Sequence, residues 1–226
     1  MSSIDIIIPV YNQAKKLDAC LKSIFSQTFQ GFSVIIVDDG STDNINDVIK
    51  KYNIKIKIIK QKNSGSNSAR NRGASLADAE YIIFCDADII MKPKMLERMK
   101  SALDKNSRAA YAYSSFRYGL KSFKLWPFDA ARLKQLPYIH TTSLIRRRLF
   151  PGFDEKIKRL QDWDLWLTML ENGHTGTYIP ELLFKVKTGG TMSKWLPSFA
   201  YKLFPKMGST IAYNQAMKIV KEKHHL

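Results

Sequence analysis

The first ninety residues alternate between two hydrophobic periods, and this alternation limits the available folds more than any other feature of the chain. Ile4 to Val10, Phe32 to Val37, Ile54 to Ile59 and Tyr81 to Cys85 are short runs rich in β-branched and aromatic residues, of the length and composition of buried strands. Between them the period becomes helical. Leu17, Cys20, Leu21, Ile24 and Phe25 form one apolar face, Ile45, Val48, Ile49 and Tyr52 form a second, and Ala69, Gly73, Leu76 and Ala77 form a weaker third. Strands that alternate with helices predict a mostly parallel sheet covered on both faces. Ligands of such sheets bind beyond the carboxyl ends of the strands.

Each predicted strand ends in polar residues. The first runs into Pro9-Val10-Tyr11-Asn12, the second into Asp38-Asp39-Gly40-Ser41-Thr42-Asp43, the third leads to Asn63-Ser64-Gly65, and the fourth ends in Asp86-Ala87-Asp88. No GxGxxG follows the first strand and no GxxxxGK[ST] occurs, which excludes the usual dinucleotide and P-loop sites.

Asp86 and Asp88 are two apart, so in an extended segment their side chains point the same way, and two carboxylates on one side repel unless a cation joins them. Mg²⁺ is commonly held by one or two carboxylates together with substrate phosphates. Taken alone, the pair is equally compatible with a solvated turn. In DDGST, Gly40 is expected to supply a positive φ and Ser41 or Thr42 to cap the next helix. One of the two adjacent acids must face the crevice, where a carboxylate accepts hydrogen bonds from a base or ribose. Arg70, in NSGSNSARNRG, suits a phosphate or an anionic base edge. In Gln161-Asp162-Trp163-Asp164, the acids are about 200° apart around a helix, so at most one faces a site, and that one is a candidate general base.

The second half is less regular. Lys94 to Asp104 and Leu160 to Leu170 read as helices, and Ala109 to Arg117 and Gly176 to Val186 as strands. At 226 residues the chain suits one α/β domain. Its charge is unusual, with 36 Lys and Arg against 20 Asp and Glu, a net of +16. Thirteen basic and four acidic residues between Ser101 and Leu160 concentrate this excess in the second half. Phosphates, nucleic acid or an anionic membrane surface are the partners it favours. Cys20 and Cys85 have no CxxC spacing and read as small buried hydrophobes in a reducing compartment. We expect no signal peptide ahead of Ile4, and no apolar run approaches the ~20 residues of a membrane span, which makes the expected location cytoplasmic.

Taken together, the motifs resemble the family 2 glycosyltransferases of the GT-A fold. The resemblance runs in order through IIIPVYN, SIFSQTF, VDDGSTD, NSGSNSARNRG, FCDADI and FDEKIKRLQDWDLWL, over residues 4 to 190. It implies an α/β, Rossmann-like, mostly parallel central sheet flanked by helices. Residues 1–190 would form the catalytic domain, with a nucleotide-binding half (1–100) and an acceptor-side half (101–190), and 191–226 a basic amphipathic tail. It also implies an inverting transfer of sugar from a nucleotide-sugar donor, UDP-linked by preference, to a carbohydrate or lipid-linked acceptor hydroxyl, in cell-envelope polysaccharide, lipopolysaccharide or glycolipid synthesis.

Carried across, Pro9, Tyr11 and Asp39 fall on the base-binding positions, Arg70 on the arginine near the base and phosphates, and Asn12 and Asp86 complete the nucleotide-binding set. Asp86 and Asp88 match the DxD for Mn²⁺ or Mg²⁺, with Asp88 the more direct ligand. Asp162 matches the catalytic base, and Asp164 is left to the helix surface or behind the base. His140, Asp164, Lys187 and Thr191 are candidates for acceptor or diphosphate contacts. Relatives often place a histidine where this chain has Lys185 and Lys187, and a protonated lysine neutralises phosphate but cannot ligate a metal. The aromatic, basic stretch Lys194 to Ser209 suits an anionic membrane surface at the inner face, or packing on the domain or on a second copy in a homo-oligomer. The competing reading is a nucleic-acid-binding module that uses the basic face, which leaves the strand-end acids unexplained. A sugar nucleotidyltransferase would need a Gly-rich N-terminal phosphate loop that this chain lacks.

Overall fold

The computed structural model describes residues 2–52, 56–187 and 208–226. Nine strands and seven helices follow in the order β1 (Ile4–Val10), α1 (Ala14–Phe25), β2 (Phe32–Asp38), α2 (Ile45–Ile49), β3 (Ile56–Lys60), α3 (Ser66–Ser75), β4 (Tyr81–Phe84), β5 (Ile89–Met91), α4 (Met95–Lys105), β6 (Tyr111–Tyr118), β7 (Lys121–Phe123), α5 (Ala130–Gln135), β8 (Leu144–Arg146), α6 (Gln161–Glu171), β9 (Gly176–Val186) and α7 (Gly208–Lys223) among the described residues. A short 3-10 turn, Arg147–Leu149, follows β8.

All strands belong to one sheet in the order β3-β2-β1-β4-β8-β6-β9-β5, with β7 hairpinned onto β6. The first four are parallel, with Ile4 opposite Phe32 and Tyr81, so their carboxyl ends share one edge. Beyond β4 the sheet is mixed: β8 runs antiparallel to β4 and β6, β9 parallel to β6, and β5 antiparallel to β9. The register of β9 against β6 slips after Ile179. Pro180 falls at that slip, where a residue without an N–H cannot donate to the ladder and a bulge relieves the mismatch.

The period of two sorts β1 between two cores. Ile4, Ile6, Ile8 and Val10 pack with Leu17, Ile45 and Met99 on the face covered by α1, α2 and α4. Ile7 packs with Ile35, Val37, Ala69, Phe84, Trp163, Trp166 and Val220 on the face of α3, α6 and α7. Tyr81 and Ile83 against Ile82 and Phe84 divide the same way in β4. Cys20 and Cys85 are free and fully buried, their sulfurs 3.6 Å apart, in line with their apolar contexts.

Helix α3 lies very close to the sheet. A Cβ on Gly73 would sit 2.4 Å from Ile7 Cγ2, so glycine is what permits this approach. The weak apolar period predicted here runs past the helix, and Leu76 is its C-cap, 37% exposed. Residues 208–226 return to the domain: Thr210 and Val220 are fully buried and His224 is 6% exposed. The expected boundary at residue 190 and the candidate Thr191 lie outside the described residues, as does most of the Lys194 to Ser209 stretch.

Candidate active site

The loops after β1, β2, β3 and β4 meet at the carboxyl edge and bind one another through side chains. Asn12, at φ 52, accepts the Thr42 amide at 2.8 Å through Oδ1, and its own amide donates to Ser41 Oγ at 3.0 Å. Asp43 Oδ2 accepts the Ala14 amide at 2.7 Å, which satisfies an orphan donor at the start of α1. Gly40 has the expected positive φ, +80°. The expected cap does not form: α2 begins at Ile45 with Asn44 as its N-cap, and the hydroxyls of Ser41 and Thr42 bond Asn12. The physical reason is that the β1 loop offers a partner sooner than the helix does.

Asp38 Oδ1 closes its own turn by accepting the Ser41 amide at 2.9 Å. Asp39 is 4% exposed and braces the third loop, accepting Gln61 Nε2 at 2.8 Å and the amides of Ser64 and Gly65 at 2.9 Å each. Tyr11 is 43% exposed at the end of β1, whereas Pro9 is buried within the strand opposite Val37.

Helix α3 starts at Gly65, φ +94°, and carries Arg70 to the mouth of β4. Buried Arg70 holds Asp86 through Nη2, at 2.8 and 3.1 Å from the two carboxylate oxygens, and donates from Nη1 to Asn67 Oδ1 at 3.1 Å. Its guanidinium lies 5.3 Å from the centroid of Phe153. Asn67 in turn donates to the carbonyls of Asp154 and Ile157, at 2.8 and 3.0 Å. The loop that precedes α6 is therefore tied to the arginine.

Asp86 and Asp88 are not on one extended strand, as their spacing suggested. They occupy a turn between β4 and β5 in which the Ile89 amide bonds the Asp86 carbonyl at 2.9 Å. Parallel β4 must stop here so that β5 can pair antiparallel with β9. Burial, then the charge of Asp86, push the Asp88 carboxyl up to about 6, against the opposing pull of Lys16 and Arg70. The Lys187 amide donates to the Asp88 carbonyl at 2.9 Å, which sets this exposed lysine beside the turn.

Leu160, the N-cap of α6, is left-handed at φ 59. Asp162, in the first turn, accepts the Trp163 amide at 2.9 Å. Burial raises its pKa, opposed by that bond and by Arg70, while the charge of Asp86 adds to the rise. The field of Arg70 and Asp86 also reaches His140, so Asp162 and His140 belong to the same cluster. Burial pushes His140 down to about 4. Its Nδ1 accepts the Thr142 amide at 3.0 Å, so the neutral ring carries its proton on Nε2; the ring packs, tilted, against Phe116 and Phe184, which stack on each other.

Of the two places expected for Asp164, the helix surface is not the one it takes: it is 2% exposed, and its Oδ1 accepts Lys223 Nζ at 2.7 Å and His224 Nε2 at 3.0 Å. The 200° between the two acids sends one toward Arg70 and the other toward α7. No signal in the sequence pointed to Lys223, His224 or Asn67. A terminal histidine and an asparagine in a Ser/Gly-rich stretch carry no period, and the groups they hold at Asp164, Asp154 and Ile157 lie far along the chain.

Solved structures similar to this one share its fold. Staphylococcus aureus TarS in complex with UDP-GlcNAc superposes with a TM-score of 0.75 over 99% of this chain and 72% of that one, at 20% identity. The Pyrobaculum calidifontis mannosyltransferase PcManGT in complex with GDP-Man and Mn²⁺ gives 0.68 over 99% and 69%, at 15% identity. The fold is thus of the GT-A type. Residues 5–164 match the model of glycosyl transferase family 2, and the chain belongs to that family. An uncharacterized glycosyltransferase of Rickettsia conorii is 30% identical over 206 residues, 84% of this chain and 34% of the relative. The chain thus spans about a third of that relative's length. Among the described residues no helix is long and apolar enough to cross a membrane.

Proposed function

We propose that the chain is an inverting glycosyltransferase that moves a sugar from a nucleotide diphosphate, UDP by preference, to a hydroxyl of a carbohydrate or lipid-linked acceptor of the cell envelope. The observation that carries this reading is the convergence of Asp162, Arg70, Asp86 and Asp88 at the carboxyl edge of the sheet, with Asp162 and Asp88 both shifted toward their protonated forms. UDP and UDP-GlcNAc in the TarS complexes support a uridine donor.

The donor set suits a hard divalent cation. Asp86 and Asp88 supply carboxylate oxygens, and the burial and like-charge repulsion at Asp88 are what Mn²⁺ or Mg²⁺ would relieve. The described residues contain no group of three His, Cys, Asp or Glu placed to hold a metal, so diphosphate oxygens would complete its shell. When bound, the ion neutralises charge on the departing diphosphate. Arg70, already oriented by Asn67, adds a fixed positive charge at the same place. Tyr11 offers an exposed ring for the base. Asp39 keeps an acceptor site on Oδ2, where only the Gly65 amide is bound.

Asp162 is the general base. Burial makes its carboxylate more basic than an exposed aspartate, which favours taking a proton from the acceptor hydroxyl as that oxygen attacks the anomeric carbon. His140 Nε2–H and Lys187 are proposed as contacts to acceptor or diphosphate oxygens. An anionic membrane contact through the aromatic, basic stretch from Lys194 is part of the proposal, and sedimentation with phosphatidylglycerol vesicles tests it. The comparisons give the nucleic-acid-binding alternative no support.

A thermal-shift panel of nucleotide sugars with and without Mn²⁺ tests the reading, because a ligand that binds the native state raises its stability. We expect a UDP-sugar to stabilise the protein only with the metal, and Asp88→Asn to abolish that shift. Salt-sensitive RNA or DNA binding that ignores UDP and Mn²⁺ would overturn the proposal.

A further inference from the structure

We propose that Lys223 and His224 are positioning residues for the transfer: clamped on Asp164, they fix the first turn of α6 and with it the carboxyl of Asp162. This rests on the role of Asp162 proposed above. Neither residue touches the acid cluster, and both act through Asp164.

The clamp is built from buried charge. The side chains of Asp164 and His224 are 3% and 1% exposed. A carboxylate so deep persists only when paired and hydrogen-bonded, and here it receives one donor from each of two neighbouring residues. Lys223 also reaches Asp154 Oδ2 at 3.0 Å. One ammonium thus joins the loop before α6 to the first turn of α6, across the left-handed Leu160 that separates them. The other side of that loop is held by Asn67, the partner of Arg70. Asp162 therefore sits in a turn anchored from the acid cluster on one side and from α7 on the other.

His224 extends the grip along the helix. Its Nδ1 meets Glu171 Oε1 at 2.8 Å, at the last residue of α6, while Nε2 meets Asp164 near the first. Each ring nitrogen thus faces a carboxylate. The imidazolium fills both contacts with donors, and the neutral ring fills only one. The groups facing the ring are Asp164 and Glu171 of α6, with Lys223 beside it on α7 and Asp154 behind that lysine. Burial opposes protonation, but the bonds of Asp164 and Glu171 outweigh it and the pKa is raised. The clamp is accordingly tightest on the acid side of that pKa.

The test uses the full chain and the donor found by the nucleotide-sugar panel, with Lys223→Met, Lys223→Arg, His224→Gln and Val220→Ala compared. Val220 is a packing control, fully buried in the same core and uncharged. Lys223→Met is expected to lower kcat by about tenfold or more, since a small misplacement of a catalytic group has effects of that size. Donor KM should stay within about twofold, and amide exchange over residues 160–164 should quicken. Lys223→Arg should restore kcat. Wild-type kcat should fall on the alkaline side with a step that His224→Gln lacks, and Val220→Ala should lose stability without losing kcat. An unchanged kcat in Lys223→Met and His224→Gln, unchanged exchange over 160–164, or an equal kcat loss in Val220→Ala would overturn the proposal. If no donor is turned over even by the wild-type protein, the proposed function fails, and the exchange measurement still decides the clamp.

Discussion

Gly73→Ala tests whether the approach of α3 to β1 sets the position of Arg70. The new Cβ would lie 2.4 Å from Ile7 Cγ2 and 3.3 Å from Val37 Cγ2. Carbon contacts are comfortable at about 3.5–4.0 Å, so the helix must lift by roughly 1 Å or Ile7 must leave its rotamer. Ile7 is fully buried and has nowhere to swing. Overpacking of this kind costs about 1–3 kcal/mol, and replacing glycine in a helix returns about 1 kcal/mol, which leaves a net loss of about 0–2 kcal/mol. The two terms separate in a double-mutant cycle. Ile7→Ala removes Cγ2 and costs about 2–5 kcal/mol alone, but in that background Gly73→Ala should become stabilising by up to about 1 kcal/mol. Ile7→Val keeps Cγ2 and should give no such rescue. Arg70 is three residues before Gly73, on the same helical face, and its Nη2 is 2.8 Å from Asp86. A lift of that size breaks the bond, so the metal-dependent nucleotide shift should weaken along with stability. Urea unfolding of the six proteins, the wild-type, Ile7→Ala and Ile7→Val backgrounds each with and without Gly73→Ala, decides the matter. An identical effect of Gly73→Ala in the wild-type and Ile7→Ala backgrounds would show that the close approach is not what makes glycine necessary.

Asp88→Asn should stabilise the ligand-free protein at pH 7 while abolishing metal-dependent nucleotide binding. The native carboxyl holds its proton up to about 6, against about 3.9 when unfolded, so its ionisation opposes folding above pH 6 and does nothing below about pH 4; a stability gain that persists undiminished at pH 4 would contradict this. Asp162→Asn should lower kcat by about 10²- to 10⁴-fold with donor KM little changed and stability undiminished, which steady-state kinetics and urea unfolding can establish together. His224 has a raised pKa, so its contribution is complete below its unfolded value of about 6.5 and is lost as pH rises through the folded one. The stability difference between wild type and His224→Gln should therefore shrink as pH rises above about 6.5, and a constant difference would count against the buried clamp.

The parallel half of the fold was legible because β1, β2 and β4 are buried on both faces and must be continuous apolar runs; β3, expected to be buried as well, is the edge strand of the sheet, its lysines exposed and Ile58 40% exposed. The mixed half was not. Strands β5, β7 and β8 have three residues each, too few to show a period, and are defined by their neighbours' hydrogen bonds. Helix α5 is six residues long with one fully buried side chain, Leu133. The turn that carries Asp86 and Asp88 was misjudged for the same reason, since the strand that follows it exists only through its pairing with β9.

The site shows a related limit. Helical spacing alone separated Asp162 from Asp164, but where Asp164 goes depends on residues about sixty positions later. Asp39 makes the point more sharply. Its place after a buried strand marks it as a residue at the crevice, yet three of the roughly four acceptor positions of its carboxylate are filled by Gln61, Ser64 and Gly65. Sequence tells which acids reach the edge of the sheet and not how much of each is already committed to holding that edge together. A base bound at Asp39 has one acceptor position to use, on Oδ2, and the loop that fills the others is oriented by the same carboxylate. Under the proposed function, nucleotide recognition and the order of the 61–65 loop are therefore coupled through a single side chain.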